Sequence, residues 1–293
     1  MEREIKRAKD NIVEGCLALE GGAFRGTYTS GVIDCLMEND INLQTTVGVS
    51  AGALNGFCYV SGEIGRAAFL SIDQRHNKDY IGVKNLVTAG SVVNFEYFFK
   101  EYDELFAINE ERIFNSGRKF YVMATNIKTG KQEAFDNSDK ETLYKAIQAS
   151  ASMPLVSRPV KIGDDYYLDG GSAIKLPIRF ALAQNFPKII FVATREASYR
   201  RKEISKEFEL MKVRYVRYPN FVSGLKKANV YYNNDCDLID ELVAMGEIYR
   251  IAPSKPVTIG RMEDDVEVLN ELYRLGYEDT QNQIEAIKEY LAI

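Results

Sequence analysis

Ser50, in Gly48-Val49-Ser50-Ala51-Gly52, has the surroundings of a nucleophile. A serine hydroxyl attacks a carbonyl only when it is held clear of its neighbours, beside a base and facing donors for the negative oxygen of the tetrahedral intermediate. G-x-S-x-G supplies the first condition where it joins a strand to a helix, since its glycines remove side chains that would collide with either element. The pattern alone is short enough to arise by chance, and its plain alternative is a serine capping a helix that begins at Ala51. Oxyanion donors are offered by Glu20-Gly21-Gly22-Ala23-Phe24-Arg25-Gly26, whose consecutive glycines can turn backbone N–H groups toward one point. The candidates are Gly21, Gly22 and Ala23, with Arg25 assisting the loop or an anionic substrate group; the alternative is a tight turn with a solvated arginine. A dinucleotide-type phosphate turn is disfavoured, because Gly21, Gly22 and Gly26 do not follow G-x-G-x-x-G and no Walker lysine follows.

The base is the more informative question. The chain has a single histidine, His76, inside the polar run Asp73-Gln74-Arg75-His76-Asn77-Lys78, where a solvated or helix-terminal residue is expected. A carboxylate or a lysine must then take the proton. Tyr166-Tyr167-Leu168-Asp169-Gly170-Gly171 offers Asp169 at the end of a short apolar run, with glycines that let another segment approach; its alternative is an ordinary turn aspartate.

These residues need strands and helices to hold them. Residues 15–19 and 43–49 read as buried strands, each followed by a helical pattern, over 27–38 and 51–59 respectively. Further strands are predicted at 119–125, 188–194 and 247–251, with helices at 140–150 and 176–185. Strands alternating with helices predict an α/β, three-layer fold whose mostly parallel central sheet carries helices on both faces. No linker composition, repeat or low-complexity segment divides the 293 residues, so one domain over 1–293 is expected.

Together these segments resemble the bacterial patatin-like phospholipases. In that family a glycine-rich loop with an arginine precedes a G-x-S-x-G elbow, and an Asp-Gly-Gly segment supplies the aspartate of a Ser-Asp dyad. Ala149-Ser150-Ala151-Ser152-Met153-Pro154 also looks like the family's small-residue-and-proline segment. The ordered match runs from Gly15 to Gly171, with one departure: Ala23 stands where many members have a third glycine. The resemblance implies an acyl hydrolase acting on a lipid or small carboxylic ester, with Ser50 as nucleophile and Asp169 as base, needing neither cofactor nor metal. A reading from a different class is an acyl-lipid binding or regulatory protein with little turnover. The motifs encode neither headgroup, chain length nor oligomeric state.

Composition sets the remaining expectations. With 46% hydrophobic and 27% charged residues the chain can bury a core without disulfides. Cys16, Cys35, Cys58 and Cys236 share no C-x-x-C spacing and are expected as free thiols in a reducing cytoplasm. One histidine and no cysteine pair make a zinc site unexpected, and no nucleic-acid partner is expected. No apolar run reaches the ~20 residues that span a bilayer, so a cytoplasmic chain is predicted, with peripheral membrane contact the alternative worth testing. Two stretches bear on that contact: the aromatic residues 92–102, and residues 195–227, where ten Lys or Arg stand against four Glu in a chain of net charge −5. Core packing for the aromatics and a solvated face for the charges are the expected roles; a lipid-facing rim is the alternative.

Overall fold

Along Val13–Leu19 (β1) successive side chains enter two different hydrophobic clusters, Leu17 and Leu19 on one face, Cys16 and Ala18 on the other. A strand buried on both faces belongs in a sheet between two helical layers. The computed structural model describes residues 4–88, 90–99, 107–202 and 207–293. A short 3-10 turn at Ala23–Gly26 follows β1 and leads into α1 (Thr27–Glu38), β2 (Leu43–Val49) and α2 (Ala51–Ser61). The chain continues through β3 (Lys119–Asn126), β4 (Gln132–Phe135), α3 (Lys140–Ser150), β5 (Val160–Ile162), β6 (Asp165–Asp169), α4 (Ile178–Ala183) and β7 (Ile189–Val192). It closes with α5 (Pro219–Ala244), β8 (Tyr249–Ile251), α6 (Val266–Gln281) and α7 (Ile284–Leu291).

Among the described residues these strands form one eight-stranded sheet in the order β8-β7-β1-β2-β3-β6-β5, with β4 also on β3. The run from β8 to β3 is parallel, and β4, β5 and β6 are antiparallel. Helices α1, α2, α3 and α7 cover one face; α4 and α5 cover the other. The expected mixed α/β architecture with a mostly parallel sheet is therefore the observed one.

The register on β3 brings two distant segments together. β2 pairs with residues 119–123 of β3 and β4 with 122–125, an overlap that puts them on opposite edges. β6 pairs with 124–126, overlapping β4, so it shares the edge that β2 occupies. β2 and β6 thus run head-on along one edge, ending with Val49 opposite Met123 and Asp169 opposite Ala124.

Helix α4 starts at Ile178 rather than 176 because Pro177 sits at its N-cap. The antiparallel strands β4 and β5 and helices α5 to α7 go beyond the sequence reading. The 26-residue α5 carries Gly224 and several Asn and Asp, which weaken a helical signal; burial of Phe221, Ala228, Tyr232, Ile239 and Leu242 supports it instead. Of the aromatic stretch, Phe95, Tyr97 and Phe98 are core residues, and Phe99 stacks on Tyr144 with centroids 4.2 Å apart. Tyr102 lies outside the described residues.

Candidate active site

Ser50 follows β2 directly and adopts φ 56° and ψ −123°, a left-handed conformation that a non-glycine residue occupies at a cost of about 1–3 kcal/mol. It stands at the N-cap position of α2, yet its hydroxyl makes no capping bond. The hydroxyl instead donates to Asp169 Oδ2 at 2.6 Å. The turn is tight enough that a side chain at Gly52 would collide with the Leu19 carbonyl oxygen.

Asp169 ends β6 and is held at every polar atom. Its Oδ1 accepts the Gly171 N–H at 2.7 Å, its own N–H donates to Ser152 O at 2.9 Å, and its carbonyl accepts the Thr125 hydroxyl at 2.9 Å. Burial raises its carboxyl above the usual carboxylate range, opposed by the Ser50 hydroxyl, the Gly171 N–H and the cations Lys175 and Arg261. Lys175 Nζ donates to Gly171 O at 2.8 Å. Burial, with Arg201 adding to it, lowers the Lys175 ammonium to about 7.

Where β2 stops and β6 has not begun, Ser150 bridges the Ser50 N–H and the Met123 carbonyl across the gap. Its hydroxyl accepts the Ser50 N–H at 2.8 Å and donates to Met123 O at 2.6 Å. The sequence places Ser150 in a small-residue segment and gives it no role; only the head-on meeting of two strands creates the need for it. Ser150→Ala leaves a buried donor and acceptor unpaired, at about 1–3 kcal/mol of stability. Ester hydrolysis, if it runs through Ser50, is expected to lose about tenfold in kcat with little change in KM, because the nucleophile loosens. Ser150→Thr, which keeps the hydroxyl, should restore part of it. Equal kinetics in wild type and Ser150→Ala would remove the positioning role.

The glycine-rich loop lies against Ser50. A Cβ on Gly21 would sit 2.9 Å from Ser50 Cβ and 2.8 Å from Val49 O, so only glycine allows this approach. Phe24 N–H donates to Arg261 O at 3.3 Å and Arg25 N–H to Gly22 O at 3.2 Å, which commits both. Among the described residues, the N–H groups of Gly21, Gly22 and Ala23 meet no backbone acceptor. Ala23, in place of the third glycine, has φ 50°. The methyl costs about 1–2 kcal/mol in that region. Arg25 is 4% exposed, so it is not a solvated turn residue. His76 is exposed, its ring Nε2 3.0 Å from Asp264 O, in keeping with a surface role.

Ser50 opens on a cavity of about 110 Å³. Its wall includes Leu54, Cys58, Leu70, Tyr80 and Phe98, and among the described residues no Lys, Arg, Asp, Glu or His lines it. All four cysteines are free.

A family model described as patatin-like phospholipase matches residues 17–182, and one for a domain of unknown function, DUF6363, matches residues 218–292. Similar proteins include the probable lipid hydrolase 463L of Invertebrate iridescent virus 6, 26% identical over 207 residues, which are 63% of this chain and 71% of that protein. The uncharacterized protein YjjU of Escherichia coli K12 is 24% identical over 266 residues, 89% of this chain and 74% of YjjU. Among solved structures, VipD from Legionella pneumophila superposes with a TM-score of 0.52 at 13% identity, covering 97% of this chain and 70% of VipD, a likeness of fold. Because the patatin-like match takes in more than half of the sequence, including both strands that meet on β3, the chain belongs to the patatin-like phospholipase family, a family of lipid hydrolases.

Proposed function

We propose that this chain hydrolyses carboxylic esters of lipids by acyl transfer through Ser50, with Asp169 as base. The observation that carries the reading is the 2.6 Å hydrogen bond from Ser50 Oγ to Asp169 Oδ2 at the mouth of an apolar cavity. Asp169 takes the hydroxyl proton as Ser50 Oγ attacks the ester carbonyl, and the N–H groups of Gly21, Gly22 and Ala23 receive the oxyanion. Collapse breaks the ester bond, and the proton passes from Asp169 to the leaving alcohol. Water then repeats the attack on acyl-Ser50 with Asp169 again as base, releasing the acid. Arg25 acts beside the loop through its guanidinium, since its N–H is committed to Gly22 O. The chain works as one domain in this reading, because β8, from the C-terminal family segment, pairs with β7 in the common sheet.

A fluorophosphonate probe tests the nucleophile: mass spectrometry should place the label on Ser50. Labelling elsewhere, or none alongside full turnover of phospholipids, lysophospholipids, acylglycerols and aryl esters, would sink the assignment. Labelling without turnover of any ester would favour an acyl-lipid binding protein.

No helix among the described residues is long and apolar enough to cross a membrane. Contact with a bilayer would be peripheral, and the basic stretch suits it better than the aromatic one. Leu210, Val213 and Val216 are 62%, 73% and 71% exposed and alternate with Lys212, Arg214 and Arg217. Apolar side chains inserted among cations suit an anionic lipid surface, each basic residue contributing about 1 kcal/mol. Co-sedimentation with vesicles containing phosphatidylserine should therefore exceed that with phosphatidylcholine alone, weaken with salt, and drop in Leu210→Ser/Val213→Ser. Binding indifferent to lipid charge and salt would remove this contact.

A further inference from the structure

Among the described residues no charged side chain lines the cavity at Ser50, yet the buried Arg25 of the adjoining glycine-rich loop feels three further guanidinium groups, those of Arg195, Arg201 and Arg261. Phe24 and Met262 line the cavity, whereas their chain neighbours Arg25 and Arg261 do not, so each chain segment gives an apolar side chain to the cavity and keeps its cation out of the lining. The Phe24 N–H to Arg261 O bond ties the two segments together. Arg195 follows Thr194, whose side chain packs against Gly22 of the oxyanion loop. Arg201 arrives from further along, its backbone clamped by Asn233 through bonds of 2.8 and 2.9 Å.

These cations are held in place, and among the described residues three of them keep a buried Nε without an acceptor. The Arg201 guanidinium lies 4.4 Å over the Tyr232 ring and that of Arg195 4.7 Å over Tyr199, stacks that fix the planes and leave the N–H edges free. Nε of Arg25, of Arg195 and of Arg201 is buried without an acceptor among the described residues. Two other buried arginines have carboxylate partners, Arg66 with Glu63 and Arg112 with Asp10, and buried Arg118 gives its terminal nitrogens to the carbonyls of Asn42 and Asn11. Among the described residues two carboxylates act on the cluster: Glu20, whose Oε2 is spent on the Thr194 N–H at 2.6 Å while Oε1 has no partner, and Asp169, which interacts with Arg261 and is bonded to Ser50. Burial and then Arg195 lower the Arg25 guanidinium to about 10, with Arg201 and Arg261 adding and Glu20 opposing. Unpaired guanidinium groups crowded together in a partly dry site are costly, and an anion with several acceptor oxygens relieves both the repulsion and the missing hydrogen bonds.

We propose that Arg25, Arg195, Arg201 and Arg261 form a subsite for a phosphate monoester on the alcohol part of an acyl ester, while the acyl chain occupies the apolar cavity. This rests on the acyl-hydrolase reading and narrows its substrate class. A phosphate monoester carries about −1.5 to −2 charge at pH 7 and three acceptor oxygens, matching the excess of forked donors. A phosphocholine group has less net charge and brings an ammonium toward the same cations.

The test compares three esters with a common acyl chain on glycerol: one carrying a phosphate monoester, one a phosphocholine, one free hydroxyls. The phosphate monoester should give a kcat/KM about tenfold or more above the other two, the equivalent of one or two charged hydrogen bonds. Arg195→Gln and Arg201→Gln should each cut that preference about tenfold, chiefly through KM, with partial rescue in Arg201→Lys. Lys161→Gln, exposed on β5 away from the cluster, should leave the preference unchanged. Equal kcat/KM for the three esters, or variants that depress all three alike, would overturn the subsite. Calorimetric titration with dodecyl phosphate, dodecylphosphocholine and inorganic phosphate separates this idea from the hydrolase reading. Dodecyl phosphate bound tightest, and weakened in Arg201→Gln, supports the subsite even if no ester is cleaved. Inorganic phosphate or dodecylphosphocholine bound equally tightly overturns it.

Discussion

Ser50→Ala is expected to keep its fold and lose ester hydrolysis by at least about 10³-fold, the scale on which nucleophile deletions act in serine hydrolases. A methyl group cannot carry the acyl intermediate, and what activity survives must come from the oxyanion donors acting on a bound ester. The backbone supplies an independent readout. At φ 56° any β-carbon is strained, so alanine inherits the strain and glycine releases it. Ser50→Gly should therefore be as inactive as Ser50→Ala but more stable, by about 1 kcal/mol once the greater freedom of unfolded glycine is set against the relief. Thermal melts of the two variants beside the wild type read this directly. A folded Ser50→Ala with half the wild-type rate would falsify the nucleophile; a Ser50→Gly no more stable than Ser50→Ala would mean that the elbow stores no strain.

The parallel half of the sheet and the elbow could be read from the sequence because their signals are local. The buried run of β1, the helical stripe of α1 and the small residues of α2 each fall within a single window, and the predicted 27–38 and 43–49 are the observed α1 and β2. Ser50 and Asp169, 119 residues apart, can be paired by resemblance, but the reason they touch is topological. Two strands of opposite direction end on one edge of β3, and no periodicity records which edge a strand occupies. Ser150 and Lys175 stay invisible for the same reason, since their partners are the backbone of other elements: the Ser50 N–H, Met123 O and Gly171 O. Arg195 and Arg201 read in sequence as part of a solvated basic face, and Arg261 gives no signal there. Only the fold shows Arg195 and Arg201 stacked on tyrosines, and Arg261 bonded to the glycine-rich loop through its carbonyl.

The base is tested by a pair of substitutions with opposite expected results. In Asp169→Asn the amide oxygen can still accept the Gly171 N–H, but the atom facing Ser50 becomes a donor, so the serine proton has no acceptor. Hydrolysis should fall by about 10³-fold or more, within the range that general bases contribute, while the protein stays folded. His76→Ala should remain within about twofold of wild type, as exposed positions away from a site do. The pH profile adds a test with its own sign. Asp169 must be ionised to accept the proton, so kcat/KM falls as pH drops through its pKa, and burial places that fall at higher pH than a solvated aspartate would give. The Lys175 charge holds the carboxyl down, most fully below the ammonium's own pKa of about 7. Lys175→Gln removes that charge, so the acid limb should move to still higher pH. A histidine base would place the limb near ~6.5 and lose it in His76→Ala. Because a buried aspartate can titrate in the same region, the direction of the Lys175→Gln shift and the two substitutions must agree. An inactive, folded His76→Ala beside an active Asp169→Asn would overturn the dyad and leave the contact between Ser50 and Asp169 a structural one.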